Sequence, residues 1–220
     1  MSKPIGLFDS FDNLDQINIE SLASWLKNAP SASQLENYLA NRILYPQTLP
    51  LTQFDMKLDL TILREALRIN GPNLDEKGNL LGDNPFLNTT LRKIIIPERF
   101  LQFCSDLVSL SWAFVDGLLL NRIRKDYFED LWTVVVTDDT DEIIGSILRP
   151  QFSGKTDSLE LNLMGKTLKV KAGSLTVVNC PKDRCGISYK FTNGKILGKK
   201  EASLEIYGGK LGLMIDGRSV

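Results

Sequence analysis

Four carboxylates fall within five positions, Asp138, Asp139, Asp141 and Glu142, directly after the apolar run Val134-Val135-Val136. Hard oxygen donors at that density are what Mg²⁺, Mn²⁺ or Ca²⁺ take, so a carboxylate-dependent metal enzyme is one reading of the turn 138–142. Two features weigh against it: the segment lacks the glycine around which a calcium loop bends, and no βαβ nucleotide-binding pattern lies upstream. Asp also populates turns by bonding its own backbone, so a solvated hairpin turn accounts for the same residues without a cation.

The second chemical candidate is Cys180-Pro181-Lys182-Asp183-Arg184-Cys185, two thiols flanking a four-residue loop. Across a hairpin they can face one another, and Lys182 and Arg184 can lower a thiol pKa, which permits a redox switch. Zinc wants four ligands, but only Cys104 remains and the chain has no histidine. Two reduced cysteines are the plainer reading. Three cysteines are too few for a disulfide scaffold, and Met1-Ser2-Lys3-Pro4-Ile5-Gly6 lacks the apolar run of a signal peptide. Both observations point to the cytoplasm.

The absence of histidine removes the usual base near neutral pH and excludes Ser-His and Cys-His mechanisms. There is no phosphate-cradling Gly-rich loop, no dinucleotide fingerprint and no nucleophile elbow, so no cofactor is expected.

Charge is unevenly spread. Residues 1–150 hold 14 Lys and Arg against 21 Asp and Glu, whereas residues 151–220 hold 12 against 6, so −7 and +6 hide beneath a net −1. Lys169 and Lys171 alternate with Leu168 and Val170, which on a strand puts both amines on the face away from the core, and Lys190 adds to them. This lysine face is the candidate interaction surface, docking on an acidic protein partner or on the acidic first half. Nucleic-acid readers on β scaffolds present exposed aromatics, whereas Tyr189 and Phe191 share a face with Ile187 and read as core. The basic cluster Arg122-Ile123-Arg124-Lys125 is diluted by Asp126 and Glu129 at i+4 spacing and reads as a solvated helix face.

The elements that must hold these residues change character along the chain. Asn18 caps a helix over about 19–27; Ser31 or Ser33 opens a second in capping-box fashion, closed by Tyr45-Pro46; a third begins near Asp59 and stops at Asn70-Gly71-Pro72. Residues 71–90 form an irregular loop. Ile94-Ile95-Ile96 is a short strand, and Pro97 starts a helix running to about Leu120. That stretch is apolar all round and long enough to span a bilayer, but Asp106 and Asp116 would each cost about 2.5–3.5 kcal/mol near its centre, so it reads as a buried core helix. An amphipathic helix follows over 118–131.

From Trp132 the period becomes alternating, with short strands near 132–137, 143–148, 158–163, 167–171, 174–180, 185–191, 203–207 and 211–215. The glycines of Gly208-Gly209-Lys210-Leu211-Gly212 read as a tight turn and a closely packed strand. The expectation is an α+β chain with a mainly helical N-terminal part, residues 1–131, followed by an antiparallel β-sandwich or small β-barrel over 132–220. Its expected role is that of a non-catalytic interaction or assembly protein, a subunit or adaptor binding a protein partner or a second copy of itself. The metal enzyme at 138–142 and a nucleic-acid-binding β module are the alternatives.

Overall fold

A computed structural model of the chain describes residues 11, 13–71, 91–97, 104, 106–118, 128–137, 142–180 and 183–218. Asn18 takes the capping role its side chain suits, accepting from the amides of Glu20 and Ser21 at 2.7 and 3.1 Å, and starts helix α1, Ile19–Ser24. This helix ends three residues short of Lys27, where the Trp25 N–H turns back to the Leu22 carbonyl. Ser31 and Gln34 form a reciprocal capping box on α2, Ala32–Leu44. Helix α3 begins at Gln53, six residues before the expected Asp59, because Thr52 and Asp55 make a second box. It runs Gln53–Asn70 and buries Leu58, Ile62, Leu63 and Ala66.

Helix α4, Leu107–Gly117, lies within the expected apolar helix and is capped by Asp106, whose side chain accepts from the Ser109 amide. It buries Leu110, Ala113, Phe114 and Val115. At its end the α3 backbone comes so close that a Cβ on Gly117 would meet the Arg64 carbonyl oxygen at 2.7 Å. Among the described residues no helix is long and apolar enough to cross a membrane.

Two expectations change here. Pro97 ends a strand, β1 (Leu91–Pro97), and β2 (Phe128–Thr137) occupies residues 128–131 that the amphipathic reading gave to a helix. Phe-Glu-Asp-Leu is short enough to satisfy either period, and pairing of Phe128 with Leu91 of β1 and of Leu131 with Leu148 decides it. The remaining strands are β3 (Glu142–Leu148), β4 (Gln151–Phe152), β5 (Ser158–Leu163), β6 (Lys166–Lys171), β7 (Leu175–Val178), β8 (Arg184–Phe191), β9 (Gly194–Lys195), β10 (Glu201–Tyr207) and β11 (Gly212–Asp216).

The fold is α+β, with mainly helices first and sheets after, although β1 precedes α4 in the chain. One sheet, in order β10-β8-β5-β6, is antiparallel throughout. A second, β1-β2-β3-β11-β7, is mixed: β1 runs parallel to β2 and β11 parallel to β3, while β4 and β9 pair as a two-stranded antiparallel ribbon. Among the described residues no barrel closes. Both sheets contribute to one apolar core, with Leu148 of β3 and Leu213 and Ile215 of β11 joining Leu159, Leu161, Ile187, Tyr189 and Phe191. Ser146, fully buried, ties the sheets by donating to the Tyr207 carbonyl at 2.8 Å and accepting its amide at 3.0 Å.

The C-terminal glycines pack as closely as their spacing implies. Gly212 (φ 73°) sits where a Cβ would meet the Val178 carbonyl oxygen at 2.5 Å, and its parallel neighbour Gly145 presses as closely on the Gly212 carbonyl. The chain divides into two compact units, Met1–Asn73 with Arg99–Leu120, and Leu74–Glu98 with Asn121–Val220.

Candidate functional site

On α2, Leu35, Leu39 and Arg42 follow one another at helical spacing and are all buried, so a guanidinium occupies what the period marks as a core position. On α3 the matching residue is Asp59, flanked by buried Leu58 and Leu60. Arg42 and Asp59 are 5% and 4% exposed. Arg42 grips the carboxylate with both prongs, Nε to Oδ1 at 2.7 Å and Nη2 to Oδ2 at 2.9 Å. One helical turn earlier, the Tyr38 hydroxyl accepts from Arg42 Nη2 at 2.8 Å and stands 2.9 Å from Asp59 Oδ1 and 3.2 Å from the Asp55 carbonyl, to either of which it can donate. The remaining prong, Nη1, donates to the Thr48 carbonyl at 2.6 Å.

Thr48 belongs to the connector between α2 and α3, residues 45–52, interrupted by Pro46 and Pro50. Apart from the Thr48 amide, which closes a turn on the Tyr45 carbonyl at 3.0 Å, this segment is irregular. Around it stand large apolar side chains in water: Leu44 is 68% exposed, Tyr45 56%, Leu49 54%, Leu51 90% and Phe54 44%. Tyr45, Leu49 and Leu51 line a cavity of about 320 Å³ whose other walls are Tyr38, Asn41, Arg42, Thr48 and Asp55.

The electrostatics follow from burial. Loss of water raises the Asp59 carboxyl to about 6, against the opposing pull of Arg42 and Tyr38. Burial raises the Tyr38 phenol too, seconded by the Asp59 charge. Burial works to lower the Arg42 guanidinium, but Asp59 and Tyr38 outweigh it and hold it above its usual value. Cys104, also buried, is pushed up chiefly by desolvation, with Asp106 and Asp59 among its charged neighbours. Tyr38 and Cys104 therefore stay protonated at neutral pH, and Asp59 is enclosed by its own partners. Tyr38, Arg42 and Asp59 together join α2, α3 and the connector.

No family model, curated protein or solved structure matches the chain.

The residues singled out from sequence are distributed elsewhere. Asp138, Asp139 and Asp141 lie outside the described residues, as do 72–90 and 121–127. Glu142 begins β3, half exposed, and pairs with Lys210 at 3.2 Å. Among the described residues no group of three His, Cys, Asp or Glu is placed to hold a metal.

Lys169 and Lys190 stand on the outer face of the antiparallel sheet, as alternation predicts, but not as a patch of one sign. In register across the sheet the order is Glu201, Lys190, Glu160, Lys169, and Lys190 reaches Glu201 at 3.5 Å. Lys171 lies opposite Ser158 instead.

Cys180 and Cys185 are joined in a disulfide, which replaces the reading of two reduced thiols. The loop between them is not a hairpin either. Strand β7 pairs with β11 in the mixed sheet, β8 with β5 and β10 in the other, so the bond closes a crossover between sheets. Both cysteines are core residues, 0% and 4% exposed.

Sequence reasoning passed over the Arg42–Asp59 pair. Its signal was present: charged residues at buried positions on two successive helices, Arg42 on α2 and Asp59, with Glu65, on α3.

Proposed function

We propose that the chain is a non-catalytic interaction or assembly protein, a subunit or adaptor, that takes an apolar segment of a protein partner on the α2–α3 connector. The observation that carries this reading is the run of exposed large side chains at Leu44, Tyr45, Leu49, Leu51 and Phe54, beside a cavity with apolar walls and a polar floor. Apolar surface concentrated in one segment and rimmed by polar groups is unfavourable in water unless something covers it, and it marks interaction sites. The floor supports the reading because Arg42 and Asp59 hold the connector in place, and a preformed surface loses less entropy on binding. The lysine face is the weaker candidate, since Glu160 and Glu201 alternate with Lys169 and Lys190 and blunt its field.

The test is photo-crosslinking in the native cell from a probe at position 51 and, as a control, at position 169. The expected result is one dominant adduct from position 51, either another protein or a second copy of this chain, that disappears when Leu49→Asp is added. Adducts from position 169 alone, lost on Lys190→Glu, would overturn the assignment in favour of the sheet.

A further inference from the structure

The clamp beneath the connector has one feature that a purely structural ion pair does not need. The guanidinium that neutralises Asp59 is the same group that holds the Thr48 carbonyl, so the charge on a carboxylate of α3 and the position of the apolar connector depend on one side chain. We propose that Asp59, Arg42 and Thr48 form a proton-operated latch: when Asp59 takes up a proton, Arg42 leaves its buried seat and the connector is released.

The geometry gives the sequence of events. As a carboxylate, Asp59 accepts two bonds from Arg42 and lies within reach of the Tyr38 hydroxyl. A proton on either oxygen removes one acceptor and the negative charge. Arg42 is then a buried cation left with the remaining Asp59 oxygen, the Thr48 carbonyl and the Tyr38 hydroxyl, all neutral, and a charge without a counter-charge at 5% exposure is strongly unfavourable. Its route out is short, because Arg42 already forms part of the wall of the open cavity. When it swings into solvent the Thr48 carbonyl loses its donor, and Leu49 and Leu51 are freed from the arrangement that lines the cavity.

Among the described residues, the groups facing Asp59 are Arg42 and Tyr38 from α2, Asp55 one turn earlier on α3, and Cys104 ahead of α4. Only Arg42 carries a positive charge, while Asp55 works with desolvation to favour uptake of the proton. Arg42 and Tyr38 oppose it, and the balance sets the carboxyl at about 6, within the range a cell or compartment can reach. The folded unit tolerates the proton better than the unfolded chain does, so the latch opens without unfolding the helices that carry it.

This regulation rests on the reading of the connector as the partner surface, but the latch is tested without a partner. In the full chain, NMR would follow the Asp59 carboxyl carbon, the Arg42 Nε–H signal and protection of the Thr48 amide between pH 7.5 and 5, corrected for intrinsic exchange. The expected result is a carboxyl midpoint near 6, loss of the Arg42 signal over the same range, and at least a tenfold fall in Thr48 protection. Amides of Leu63 and Ala66 should keep their protection throughout. Asp59→Asn should show the low-pH behaviour at every pH, and Arg42→Gln should give a loose connector independent of pH should the first variant fail to fold. A carboxyl that titrates near 4, or Thr48 protection equal at both pH values, overturns the latch while leaving the partner surface untouched. A working latch with no crosslink from position 51 overturns the surface and leaves the latch.

Discussion

Arg42 and Asp59 sit where the helical period asks for leucine, and the energetics of that choice are testable residue by residue. A bidentate pair at this depth recovers its desolvation only while both partners are present. Replacing Arg42 by Ala leaves a buried carboxylate with one hydroxyl for company, and we expect a loss of about 3–5 kcal/mol at pH 7.5 in urea unfolding. The loss should shrink at pH 5, where Asp59 can take a proton instead. Equal losses at the two pH values would contradict the assignment of the titrating group. The sign for the unmodified protein runs the other way from most acidic residues. Its folded value is about 6 against an ordinary 3.8, so the stabilisation from proton binding is complete below the ordinary value and is lost as pH rises through about 6. Asp59→Asn should flatten that part of the stability curve, and a slope between pH 4 and 6.5 that survives the substitution would exclude Asp59 as its source.

Secondary structure was readable wherever local chemistry specifies it. Asn18 and the Ser31–Gln34 box announce their helices, and β8 alternates exposed and buried from Arg184 to Phe191 without a break. The start of α3 was misplaced because its box closes with Asp55 rather than Glu or Gln, so Thr52 passed unnoticed. Thr52→Ala should cost about 1 kcal/mol, read as a shift of the urea midpoint, and a silent variant would mean that tertiary packing alone fixes the helix start. What period cannot supply is the partner of a strand. That β11 lies parallel to β3, or β1 to β2, depends on glycines meeting at Gly145 and Gly212 and on contacts distant in sequence. The same gap affected the lysines: alternation placed Lys169 and Lys190 outward, but only register reveals Glu160 between them. Lys190→Glu would align three carboxylates, Glu201, position 190 and Glu160, so it should lower the melting temperature more than Lys171→Glu, which faces Ser158. The difference should vanish at high salt. Equal effects at low salt would show that the cross-strand order contributes nothing.

For the molecule as a whole, cysteine usage carried more weight than it could bear. Three cysteines argued for a reducing compartment, yet two of them are bonded to each other, so that expectation loses the support it drew from the count. The bond lies where covalent closure has an effect. It ties the chain just after β7, an edge strand of one sheet, to β8 of the other within a shared core, and the Asp183 and Cys180 carbonyls accept from the Gly208 and Gly209 amides. A ring this short removes little freedom from the unfolded chain, about 2 kcal/mol by the chain-entropy argument. Burial of both sulfurs at 0% and 4% exposure shields the bond from thiols until the strands part. Alkylation of the denatured chain, purified without reductant, should therefore label Cys104 alone, and all three cysteines only after reduction. Prior reduction in denaturant, then refolding under a dithiol, should lower the urea midpoint of the natural chain by an amount equivalent to about 2 kcal/mol. The same treatment should leave the double variant Cys180→Ala with Cys185→Ala where it was. Three labelled cysteines before reduction would remove the disulfide from the native state, and a midpoint indifferent to reduction would mean that the core alone holds the two sheets together.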